Sequence, residues 1–141
     1  MALGLDLAFE PVRHDILSCK LAPPPIREAV EENPADWVEG TVLVVRFGGE
    51  DGWLFPFMAE DSDVDRILVM ADHAQEWVIE NDLWPSEPTN WPRCPLHPDK
   101  HPLHTRALYG LAAWVCPVSG DLVTEVGSFY PRLSEPVGRI R

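Results

Sequence analysis

The chain has 141 residues, 45% of them hydrophobic, and a formal net charge of −12. That length suits one domain with a core of its own, and the acidic balance disfavours general binding to phosphate backbones. There is no run of about 18 apolar residues, so no membrane span is expected.

The opening MALGLDLAFEPVRHD lacks a basic stretch and a long apolar core, which argues against a secretory signal. Three cysteines, an odd number, argue against a disulfide framework and for a reducing compartment. A cytoplasmic location is the expectation. Fifteen prolines predict short elements and irregular connections. The charge is uneven. Residues 1–90 carry five basic and nineteen acidic side chains, whereas residues 91–141 carry six basic and four acidic ones. An acidic body is expected to keep the chain soluble, or to dock a basic partner protein.

Residues 12–21 (VRHDILSCKL) suit a strand or a short helix. Cys19 reads there as a buried thiol and His14 as a surface histidine. Pro23, Pro24 and Pro25 punctuate the chain, and the following IREAVEEN is helix-friendly, ending before Pro34. Trp37 to Phe47 reads as a central strand, apolar on both faces. GGEDG at 48–52 is a turn, and Trp53 to Met58 returns as a hairpin arm. Pro56 assigns that arm to a sheet edge or a bulge.

Asp61 to Asp65 lacks the glycine and glutamate that a calcium loop needs. Ser62 instead caps a helix running from about Asp63 to Asn81. Val64, Ile67, Leu68, Ala71, Ala74 and Val78 fall on one stripe of it, with Met70 and Trp77 on the shoulder and His73 on the opposite side. Residues 83–91 form a proline-interrupted connector bracketed by tryptophans.

The stretch that proposes a chemistry is 91–127. Cys94-Pro95-Leu96-His97 has the spacing of half a metal site. Cys116-Pro117-Val118-Ser119-Gly120 has the shape of a turn whose backbone N–H groups point at a thiolate, closed by a glycine. Apolar arms flank Tyr109-Gly110, and a further strand spans Asp121–Val126. The segment resembles a zinc ribbon or zinc knuckle, departing from that pattern at Ser119, where a fourth ligand is usual. The wider CPxH, HPL and WVCP pattern also resembles small bacterial proteins of GC-rich genomes, which implies no activity.

The resemblance implies a structural Zn2+ with four protein ligands. The expected set is Cys94, His97, His101 and Cys116. His101 is preferred to His104, which runs into the next strand. The alternative is a proline-rich loop without metal. Neither H-x-E with P-C-x-x-C nor H-E-x-x-H occurs, and no Ser–His–Asp or Cys–His arrangement is legible.

The expected architecture is therefore one α+β domain over 1–141, with an acidic body (1–90), a metal-binding β unit (91–127) and a tail (128–141). It comprises a small antiparallel sheet, one long amphipathic helix and a C-terminal zinc-ribbon-like meander. The expected function is a non-catalytic, zinc-stabilised protein-binding module of inhibitor, immunity or adaptor type. The alternatives are a zinc-dependent hydrolase with an open metal site and an acidic mimic of nucleic acid.

Overall fold

The computed structural model describes residues 4–29, 42–48, 53–58, 62–83, 90–98 and 100–130. It is a mixed α+β structure with two α-helices and two three-stranded antiparallel sheets. Helix α1 (Leu5–Ser18) precedes strands β1 (Ile26–Ala29), β2 (Val42–Phe47) and β3 (Trp53–Met58). Helix α2 (Asp63–Val78) follows and runs into a π-helical turn, Ile79–Leu83. Strands β4 (His104–Leu108), β5 (Leu111–Val115) and β6 (Leu122–Glu125) form the second sheet.

In the first sheet β2 is central, and β3, with Pro56, is an edge. There the missing proline N–H can face away from the ladder. One expectation needs correction. Residues 26–29 are a strand, not the start of a helix: Ile26 pairs with Phe47, and Ala29 with Val44. A stretch that short gains little from helix propensity, because nucleation is costly, and an open strand beside it offers ladder hydrogen bonds instead. Of the two alternatives for residues 12–21, the helix is found over 12–18, as part of a helix that starts at Leu5. The segments 37–41, 49–52, 84–89 and 131–141 lie outside the described residues.

Helix α1 buries Ala8, Phe9, Val12, Asp15 and Ile16, a spacing that places them on one stripe. That stripe packs against α2, which buries Met70, Ala71, Ala74 and Val78. Ser62 Oγ accepts the Asp65 N–H at 3.1 Å, capping α2. Met70, expected on the shoulder, is fully buried, and Arg66 is buried too. His73 is half-buried, and that burial pushes its pKa down against the opposing pull of Asp72 and Glu76. The other side of α2 packs on β4 and β5. Tyr109 and Gly110 both have positive φ, the two-residue turn that matches strand twist in a hairpin. Among the described residues no helix is long and apolar enough to cross a membrane.

One buried carboxylate ties α1 to the second sheet. Asp15 is 0% exposed. Its Oδ2 accepts the Trp114 indole N–H and the Gly127 N–H, each at 2.8 Å. Its Oδ1 accepts the Phe129 N–H at 3.0 Å and lies 3.0 Å from His14 Nδ1. Burying a carboxylate is costly unless it is hydrogen-bonded, and here both oxygens are doubly served. Gly127 sits where a Cβ would lie 2.7 Å from Pro11 Cβ, at a φ of +106°. Only glycine lets the chain pass α1 that closely.

Asp15→Ala is expected to destabilise the protein by about 3 kcal/mol or more, because it orphans several buried donors at about 1–3 kcal/mol each. Urea unfolding measures this. Gly127→Ala should lower stability in the same assay by about 1 kcal/mol or more, through both strain and the clash with Pro11.

Candidate metal centre

Two turns and one strand end bring four donor side chains together. Cys94, His97, His101 and Cys116 each offer a ligand atom, and these atoms all lie within 4.8 Å of one another. These four residues could hold a metal ion. His97 Nδ1 lies 3.7 Å from Cys94 Sγ, 3.6 Å from Cys116 Sγ and 3.1 Å from His101 Nε2. Both cysteines are fully buried and both histidines half-buried. The cluster therefore has an apolar sulfur side and a wetter imidazole side.

The local sequence explains each placement. Cys94 to His97 is a turn closed by the His97 N–H on the Cys94 carbonyl at 3.1 Å. A second turn follows, with the Lys100 N–H on the His97 carbonyl at 3.1 Å, and it brings His101 back toward His97. The ends of this loop are pinned together: Leu103 N–H donates to the Pro92 carbonyl at 2.7 Å, and Arg93 bridges Pro102. Gln75 of α2 locks the loop to the body, because its amide donates to the carbonyls of Trp91 (3.0 Å) and Leu103 (2.6 Å). Trp91 packs edge-on against Trp114 with centroids 5.6 Å apart, so the loop is also seated on β5.

Cys116 follows β5 directly. The Gly120 N–H closes its turn on the Cys116 carbonyl at 2.7 Å, at a φ of +78° that favours glycine. The Ser119 N–H draws the Cys116 pKa down, aided by the Ser119 hydroxyl and the Val118 N–H and opposed by burial, to about 6 from an ordinary 9.0. Ser119, which stands where the ribbon pattern has a ligand, thus serves the sulfur as a donor.

The His101 imidazole is also oriented from behind. His101 Nδ1 is 3.1 Å from the Pro102 carbonyl oxygen, which can only accept, so Nδ1 carries the proton and Nε2 presents a lone pair to the cluster. Such a carbonyl partner is a common orienting device behind a metal-bound histidine. Two sulfurs and two ring nitrogens then converge on one small space, with the His101 Nε2 lone pair facing His97 Nδ1.

His104 is exposed, begins β4 opposite Val115, and lies outside this group. Cys19 is also outside it. Its Sγ accepts the Trp91 indole N–H at 3.3 Å, while burial raises its pKa. The contribution of Gln75 has no sequence signature, since a glutamine on the flank of an amphipathic helix looks like ordinary surface.

In chelator-treated protein, ultraviolet thiolate absorbance should rise near pH 6 in a step that Cys116→Ser removes. The folded value lies below the unfolded 9.0, so this thiolate adds stability in full above pH 9 and loses it as pH falls toward 6. Comparison with protein-family models, with curated proteins and with solved structures yields no match to this chain.

Proposed function

We propose that this chain is a non-catalytic protein-binding domain whose C-terminal unit is a zinc-ribbon-like module. A structural Zn2+ is held by Cys94, His97, His101 and Cys116. The observation that carries the reading is the convergence of four donor atoms within 4.8 Å. A tetrahedral zinc, with bonds of about 2.3 Å to sulfur and about 2.0–2.1 Å to nitrogen, has edges of about 3.6 Å between sulfur and nitrogen and about 3.3 Å between nitrogens. The separations of 3.7, 3.6 and 3.1 Å fit those edges. Two thiolates and two neutral imidazoles also balance the ion's charge, which suits a site with buried sulfurs.

Four protein ligands complete a tetrahedron, so no coordination position is left for a water nucleophile. That favours a structural role over zinc-dependent hydrolysis. The docking surface is the acidic body, and its partner is a basic protein. Exposed Asp65, Asp72 and Glu76 support this, since they share an arc of about 40° on α2.

The test is metal content and folding together. Protein purified without added metal should carry one zinc per chain, and Cys94→Ser, Cys116→Ser and His101→Ala should each lose both metal and cooperative unfolding. Zinc-free but fully folded wild type would sink the structural reading. Cobalt substitution adds a second readout: intense thiolate-to-cobalt absorption reports both sulfurs on the ion. Charge reversal at Asp65 and Glu76, which spares the Asp72 carboxylate that accepts the Thr105 hydroxyl at 2.7 Å, should keep metal and fold while abolishing retention of an arginine-rich peptide.

A further inference from the structure

A second cluster of titratable groups lies where α1 meets the segment after β6, and it shares no residue with the metal centre. His14, expected as an ordinary surface histidine, is bonded at both ring nitrogens. Its Nδ1 lies 3.0 Å from Asp15 Oδ1, and its Nε2 lies 3.1 Å from the Tyr130 hydroxyl. Asp15 is acceptor-only as a carboxylate, so the His14 proton sits on Nδ1 and the Nε2 lone pair faces the phenol. The Tyr130 O–H therefore donates to His14. The two rings meet edge to face, centroids 5.0 Å apart at 84°.

The arrangement is graded from inside to outside. Asp15 is fully buried and held by donors from Trp114, Gly127 and Phe129. The His14 side chain is 36% exposed, and Tyr130 is 66% exposed. A hydroxyl within reach of a base, with that base oriented by a third group, is the arrangement that activates a side-chain nucleophile. Nearby Ser18 is not a competing nucleophile, because its hydroxyl is engaged with the carbonyls of Asp15 (3.0 Å) and Phe129 (2.7 Å). Simple anchoring of the segment is already met by Asp15 and Ser18, so the His14–Tyr130 bond is surplus to it.

We infer that Tyr130 is an acyl-accepting nucleophile, with His14 as its general base and Asp15 as the residue that positions the base. The donor class is an activated acyl compound, a thioester or aryl ester. The Tyr130 oxygen bonds to the acyl carbon while its proton passes to His14 Nε2. The carbon–sulfur or carbon–oxygen bond to the leaving group then breaks, and the departing thiolate or phenolate takes that proton. The products are O-acyl Tyr130 and a free thiol or phenol, with His14 restored. No oxidant, reductant or metal enters the balance. Asp15 faces the imidazolium that forms transiently and stabilises it.

The chain carries its own control. It has two tyrosines, and Tyr109 is the more exposed at 83%, with no base against its hydroxyl among the described residues. The full-length protein is incubated with p-nitrophenyl acetate, and acetylation is followed by p-nitrophenol release and by peptide mass mapping. Tyr130 should acquire acetyl about a hundredfold faster than Tyr109, the scale of general-base assistance. Tyr130→Phe, which keeps the ring contact, should remove the fast phase. His14→Gln should slow it about a hundredfold with an unchanged circular dichroism spectrum. Equal rates at the two tyrosines, or acetyl on Lys20 and Lys100 with Tyr130 unmodified, would overturn the inference. The comparison within wild type decides the matter even if the His14 variant fails to fold.

Discussion

The Asp15 carboxylate is the interaction on which the rest of the structure depends. It is a charge that the core can hold only because four donors reach it, and those donors come from α1 itself, from β5 and from the chain after β6. Hydrogen bonds to charged groups contribute more than neutral ones, and an orphaned partner costs the full desolvation of what is left behind. The clasp therefore sets geometry as well as stability. Trp114 is fixed through its indole N–H, Trp91 packs on Trp114, and the loop bearing Cys94 starts beside Trp91. A line of packed groups thus runs from the first helix to the turn that bears Cys94.

The second sheet supplies rigidity in a small space. Its central strand β5 buries Ala112, Ala113, Trp114 and Val115 in succession, so both of its faces are covered. Two alanines let neighbouring elements approach closely, and the tryptophan fills the volume they leave. Cys116 is the next residue, which means that one member of the four-residue cluster is inherited directly from a buried strand. The other three come from a loop that Gln75 and the Pro92–Leu103 hydrogen bond hold at both ends. The cluster's sulfurs sit on the rigid, buried side and its imidazoles on the side nearer solvent.

Much of this was legible in the sequence where local rules act. The cap at Ser62, the hairpin arms on either side of Tyr109-Gly110, and the edge placement of Pro56 all rest on backbone constraints confined to a few residues. The grouping of Cys94, His97, His101 and Cys116 was reached from spacing and turn shape. What could not be read depends on distant partners. The strand at 26–29 exists because β2 lies beside it. Asp15 looked like one more acid on an acidic chain, since its donors lie 99 to 114 positions away. His14 took on a second partner 116 positions along the chain. Pattern rules with periods of two or 3.6 residues carry no information at that range.

Those separations also order events on a chain made from its N-terminus. The contact between His97 and Cys116 spans 19 positions, whereas that between Asp15 and Gly127 spans 112. Closing the longer loop costs only about 1.6 kcal/mol more in entropy, so thermodynamics barely separates the two. Time separates them more. Synthesis at about 5–20 residues per second leaves α1 waiting roughly 5–20 s for the donors that satisfy its carboxylate. Until α2 is made, Ala8, Phe9, Val12 and Ile16 form an apolar stripe with no helix to cover it, and the Asp15 carboxylate among them waits longer still. The nascent first helix, rather than the turns that bear Cys94 and Cys116, is therefore where a ribosome-associated chaperone would find its longest opportunity.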